Sequence, residues 1–222
     1  MREIVDGVFE VPITYVHAYL VVVDDGVVLV DTGLPGRSRR LREALATAKR
    51  AIGDVHTILL THHHADHTGA VAELRRDSGA QVIAHHVDAP LITGETVVPP
   101  RNLTLRIGAM IMGKPEPVTV DHRIRQDGPL PVAGFSAFHT PGHTAGHVSY
   151  LLDRAGGVLF AGDAVTGGRR LRPGPKPVTE DRVAEKASVA RLAQLDFAVA
   201  VFGHGRAVTD GAVEKFRALA QA

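Results

Sequence analysis

The chain has 222 residues, of which 45% are hydrophobic and 22% charged, with a formal net charge of +1. Those proportions describe an ordinary globular protein with a sizeable core, and near-neutrality gives no global reason to expect a nucleic acid, an anionic membrane or a large acidic partner. The absence of cysteine excludes thiol catalysis, disulfides and Cys-ligated zinc.

Met1–Gly7 contains no apolar core of signal-peptide length, and Asp24-Asp25 stops the longest apolar run, Val16 to Val23, well short of a membrane span. A cytoplasmic location is the resulting expectation. Val8–Val11, Ala18–Val23 and Val27–Val30 read as strands, with a hairpin turn at Asp24-Asp25-Gly26. The third strand runs into Asp31-Thr32-Gly33. Arg37–Arg50 reads as a helix with Leu41, Leu45 and Ala48 inward. Its arginines (Arg37, Arg39, Arg40, Arg42, Arg50) form a solvated face, because no aromatic residues interleave to stack on bases.

Thr57-Ile58-Leu59-Leu60 reads as a short buried strand, and from Ala70 the apolar spacing becomes helical. Between them lies Thr61-His62-His63-His64-Ala65-Asp66-His67-Thr68-Gly69. His62 and His64, two apart in an extended segment, point the same way and can grip one cation. Asp66 and His67, at the start of the helix, reach toward a second. A required Asp, a preceding strand and a following helix separate this stretch from a mere His-rich tract, and Gly69 permits close backbone approach. Gln81–Ala84 is then a parallel strand, and His85 and His86 read as structural or surface residues.

From Thr93 to Pro131 repeated Gly and Pro break the pattern. The apolar residues there, Met110 and Met112 among them, form either a packed loop or a flap lining an apolar acyl or ring pocket. Order returns with a strand at Gly134–His139 and a hairpin of Val148–Leu152 with Gly157–Ala161. A strand at Phe197–Phe202 and a helix at Ala212–Ala220 follow. The segment Gly167 to Lys176 carries four cations and no acid, with Gly and Pro denying it regular structure. It is either solvated surface or a place where Arg169 and Arg172 receive a substrate carboxylate or phosphate.

The His-x-His-x-Asp-His run resembles the signature of the metallo-β-lactamase fold superfamily, and Asp31-Thr32-Gly33 is similar to that family's early turn. Thr140-Pro141-Gly142-His143-Thr144-Ala145-Gly146-His147, Gly162-Asp163 and Gly203-His204-Gly205 continue the likeness in order. The resemblance implies an α/β chain, an αββα sandwich of two mixed sheets flanked by helices, with residues 1–222 as a single domain. It implies that His62, His64 and His143 hold one metal, that Asp66, His67 and His204 hold a second, and that Asp163 bridges them. Asp31 and His147 would act behind these ligands, orienting them.

Imidazoles and carboxylates suit two divalent ions, zinc first, with iron or manganese as alternatives. The implied function is hydrolysis of an ester, thioester or lactone of a small molecule by a metal-bound hydroxide, with Asp66 orienting the hydroxide or passing its proton to the leaving group. Glyoxalase-II-like and lactonase-like members resemble this chain in length and motif. A mononuclear iron sulfur-dioxygenase and a β-lactam-hydrolysing enzyme are the alternative readings.

Overall fold

A computed structural model describes residues 1–97, 110, 113–132 and 134–222. Met112, with residues 98–109 and 111 of the segment read as a flap, lies outside the described residues. The chain forms two compact units, Met1–Arg123 and Ile124–Ala222.

The first unit is built on one sheet in sequential strand order: β1 (Arg2–Val5), β2 (Val8–Ile13), β3 (Val16–Val23), β4 (Gly26–Val30), β5 (Val55–Leu59), β6 (Gln81–His85) and β7 (His122–Ile124). β1 to β4 are antiparallel, as short turns demand, whereas β4, β5 and β6 run parallel and need crossovers. Helices supply those crossovers. α1 (Ser38–Thr47) joins β4 to β5, and α2 (Ala65–Thr68) with α3 (Val71–Ser78) joins β5 to β6. A short helix, α4 (Ala89–Ile92), follows β6.

α1 buries Leu41, Ala44 and Leu45 in the core that also holds Leu20, Leu29, Ile58 and Val82. Its arginines are internally neutralised. Arg39 and Arg40 pair with Glu43 on the same helix, and Arg42 reaches Glu73 and Asp77 on α3. α3 stops at Gly79, whose φ of +77° suits a left-handed C-cap.

The second unit carries another mixed sheet, in the order β14 (Val199–Val201), β11 (Val158–Phe160), β10 (Val148–Leu152), β9 (Phe135–His139) and β8 (Gly128–Pro129). Only the β11–β14 pair is parallel among the described pairings. Two helices, α5 (Arg182–Leu192) and α6 (Ala212–Ala220), pack on a core that includes Leu159, Leu192, Phe197, Phe202 and Phe216.

Two features depart from the sequence reading. α5 fills a stretch to which no element is assigned by apolar periodicity. The Arg-rich segment is not irregular either. β12 (Val165–Thr166) pairs antiparallel with β13 (Arg172–Pro173), so the arginines sit on a small hairpin. Pro173 is tolerated because this two-stranded ladder leaves one side of each strand without a ladder partner.

Candidate metal centre

In the first unit, β5 ends at Leu59 and the chain bends at Thr61 and His63 before α2, with His64 at φ −63° and ψ 148° just ahead of the helix. The extended run expected there is broken by these bends, yet the rings of His62 and His64 still meet, their centroids 4.6 Å apart, with the His63 ring 4.9 Å from that of His64. One turn into α2, the ring of His67 comes within 4.1 Å of His62. Ligand-capable atoms of Asp66 and His67 lie within 4.8 Å of each other. The unit thus gathers His62, His64, Asp66 and His67.

The hydrogen bonds fix the ring chemistry. Asp31 Oδ1 accepts the Thr61 backbone N–H at 2.8 Å, and Oδ2 accepts the Thr61 hydroxyl at 2.8 Å and His67 Nδ1–H at 2.8 Å. With its proton committed to Asp31, the Thr61 hydroxyl accepts from His62 Nδ1–H at 3.0 Å. Both imidazoles therefore carry hydrogen on Nδ1 and the lone pair on Nε2, the form a metal ligand needs.

Backbone contacts weld this turn to Asp31-Thr32-Gly33. Thr32 donates its N–H to the His67 carbonyl at 2.7 Å, and Gly69 donates to that of Gly33 at 2.8 Å. A Cβ on Gly69 would lie 2.1 Å from Pro35 N, which is why only glycine fits there. Asp31 itself has φ +59°, a left-handed conformation uncommon outside glycine.

In the second unit three loop ends converge. β11 and β14 are parallel with Phe160 opposite Val201, so Asp163 and His204, each three residues further on, leave the same sheet edge. The β9–β10 connection brings His143 to that edge. Asp163 Oδ2 stands 3.4 Å from His143 Nε2 and 3.2 Å from His204 Nε2. Two ligands about 2.1 Å from a shared tetrahedral ion stand about 3.4 Å apart, so this donor set fits a divalent cation.

His147 has both ring nitrogens engaged. Nε2 accepts the Asp163 N–H at 3.0 Å, so the hydrogen is on Nδ1 and is donated to Thr140 Oγ1 at 2.8 Å. Thr140 then donates to Ser149 (3.0 Å), which donates to the Ala161 carbonyl (3.2 Å). His139 bonds the Ala145 carbonyl at 2.9 Å.

Several contributors have no motif to announce them. The lead into α5 holds the His143 turn: Glu180 N–H donates to the carbonyls of Gly142 and His143, Asp181 N–H to that of Gly142, and Ser188 Oγ to that of Pro141. A Cβ on Gly142 would lie 2.3 Å from Glu185 N. In the first unit, burial and then the nearby charge of Asp66 raise the Tyr15 phenol above its ordinary pKa. These contacts join residues far apart in the chain and carry no local sequence signal; Asp181, which caps α5, has the residue type of an N-cap but is assigned no cap in the sequence reading.

Arg169, Arg170 and Arg172 line an open cleft of about 630 Å³ with Thr166, Gly167 and Gly168. Gly167 donates its N–H to the His204 carbonyl at 2.9 Å, tying this hairpin to the His204 loop. Met110 is 84% exposed.

Two mixed sheets with flanking helices match the architecture of solved metallo-beta-lactamases, and a family comparison agrees. The chain belongs to the metallo-beta-lactamase superfamily, whose model matches residues 11–204, and it is a hydrolase of that family. It is 30% identical over 207 residues to the probable metallo-hydrolase YflN of Bacillus subtilis (strain 168), covering 82% of this chain and 76% of the relative. It is 32% identical over 133 residues to a hydroxyacylglutathione hydrolase of Cupriavidus metallidurans, covering 59% of this chain and 43% of that protein. A subclass B3 metallo-beta-lactamase of Bradyrhizobium japonicum superposes with a TM-score of 0.75 at 22% identity, covering 99% of this chain and 90% of that one, a likeness of fold.

Proposed function

We propose that the two units act as one domain holding two divalent ions, zinc by preference, and that the enzyme hydrolyses an ester, thioester or lactone. In this reading His62, His64 and His143 hold one ion, Asp66, His67 and His204 the other, and Asp163 both. The observation that carries it is the position of Asp163 Oδ2, within 3.4 Å of a nitrogen from one proposed ligand set and 3.2 Å of a nitrogen from the other. The family model, which spans parts of both units, supports the same assignment.

The ions would supply a water of lowered pKa and polarise the scissile carbonyl. The chain's own residues do the rest. Asp31 keeps His67 and Thr61 in place, and through Thr61 sets the His62 tautomer. His147 holds the Asp163 amide, orienting its carboxylate. Asp66, on the first turn of α2, would accept a proton from the attacking water and pass it to the leaving group.

The substrate class includes small molecules that carry an anion. A hydroxyacylglutathione hydrolase is among the relatives, and Arg169 and Arg172 offer guanidinium groups to a carboxylate or phosphate.

The test is metal content by emission spectroscopy on metal-replete protein, together with hydrolysis of a panel of thioesters, lactones and neutral and carboxylated esters. Two ions per chain and turnover of at least one substrate class are expected. One ion per chain with an indifferent His204→Ala sinks the dinuclear assignment. Arg169→Ala or Arg172→Ala should raise KM for the carboxylated ester while sparing the neutral one, and equal effects on both would leave the hairpin as ordinary surface.

A further inference from the structure

His63 lies between the two proposed ligands His62 and His64, and its partner is a residue outside every recognised motif. Asp88, 1% exposed at the turn from β6 into α4, accepts two hydrogen bonds on one oxygen. Its Oδ2 is 3.0 Å from the His63 backbone N and 3.0 Å from His63 Nδ1. Asp88 is anchored in turn: its N–H bonds the His85 carbonyl at 3.1 Å, and its own carbonyl accepts from Leu91 at 3.0 Å and Ile92 at 3.2 Å.

Burying a carboxylate costs several kcal/mol unless charge and hydrogen bonds offset it. A neutral residue would serve to begin α4 equally well. What the carboxylate adds is a grip on the first of the two peptides between the proposed ligands His62 and His64. Rotation about that peptide would swing the Cα–Cβ directions of His62 and His64 apart.

Thr61 and His63 are held by buried carboxylates, Asp31 from one side of the sequence and Asp88 from the other. The rings of His62 and His64 meet with their centroids 4.6 Å apart. We infer that Asp88 is a positioning residue for the proposed metal ligands, fixing the His62–His64 spacing through the His63 backbone and ring.

The inference rests on the metal-binding reading above, and the experiment separates the two. Metal-free full-length protein is titrated with zinc alone against a competing chelator, and the visible spectrum of the cobalt-loaded protein is recorded for wild type, Asp88→Ala, Asp88→Asn and His63→Ala. Asp88→Ala should weaken the tighter zinc site about 10–100-fold and change the cobalt spectrum. Asp88→Asn, which still offers an oxygen acceptor, should recover most of that loss. His63→Ala, which keeps the backbone N–H bond, should lose less than Asp88→Ala.

Unaltered affinity and spectrum in a folded Asp88→Ala overturn the inference. So does unaltered zinc affinity and cobalt spectrum in both Asp88→Asn and His63→Ala, which remains decisive if Asp88→Ala does not fold. A wild type that binds no zinc or cobalt overturns the metal reading instead.

Discussion

At Asp163 two kinds of interaction meet: its backbone N–H is donated to His147 Nε2, and its carboxylate oxygen lies between His143 and His204. Removing that carboxylate takes away charge compensation for both proposed ions at once. Asp163→Ala should therefore lose metal from both positions, whereas His147→Ala should keep most of the metal and lose about 10–100-fold in affinity or activity. Metal analysis and steady-state rates on the two variants check this, and complete metal loss in His147→Ala would reassign that ring as a ligand. Gly69 tests the close approach of the ligand turn to the Asp31 loop. A methyl group there meets backbone atoms that cannot rotate away, so Gly69→Ala should destabilise the protein by about 1–3 kcal/mol or more. A melting temperature unchanged from wild type would show that the turn relaxes freely.

At the scale of elements, α5 and its lead brace the His143 turn without contributing a proposed ligand. Asp181 caps it, accepting from Val183 N at 2.8 Å and Ala184 N at 3.0 Å. Asp181→Ala should cost about 0.5–2 kcal/mol in urea unfolding. The helix also buries Glu185, which pairs with Arg182 at 2.7 Å and Thr179 at 3.2 Å. Burial raises the Glu185 pKa despite the opposing pull of Arg182 and Thr179. A carboxyl raised in the folded state favours folding while protonated, and that contribution is lost as pH rises through the raised pKa. Wild type should thus lose stability relative to Glu185→Gln as pH climbs from the ordinary glutamate range through that raised value. Parallel stability-against-pH curves for the two proteins would refute a raised pKa. α5 escaped the sequence reading because its apolar residues, Val183, Val189 and Leu192, do not repeat at a clean helical interval. Its partners in the His143 turn lie up to 47 residues earlier in the chain.

At the scale of the whole molecule, the proposed ions are the link with the greatest effect on stability. Zinc at about 100 times its Kd stabilises by about 2.7 kcal/mol per site, which is roughly 5–10 °C in Tm for a chain of this size. Chelation should lower Tm by at least that amount, and re-addition of zinc should restore it. An unchanged Tm would separate folding from metal binding. Much of this protein was legible in its residues alone. Strands rich in Val, Ile and Leu ended in His, Asp and Gly at recurring motifs, because a strand end is where backbone pairing stops and side chains become available for chemistry. The order of those motifs carried the resemblance to the metallo-beta-lactamase superfamily, and that resemblance implied the two mixed sheets and the hydrolase chemistry. Tertiary structure decided what no local pattern encodes. The grip of Asp88 on His63 spans 25 residues, and that of Asp31 on His67 spans 36. The proton positions on His62, His67 and His147 depend on which donors the fold brings to them. A hydrogen bond between residues so far apart leaves no periodicity in the sequence, since its geometry exists only once the intervening elements have packed.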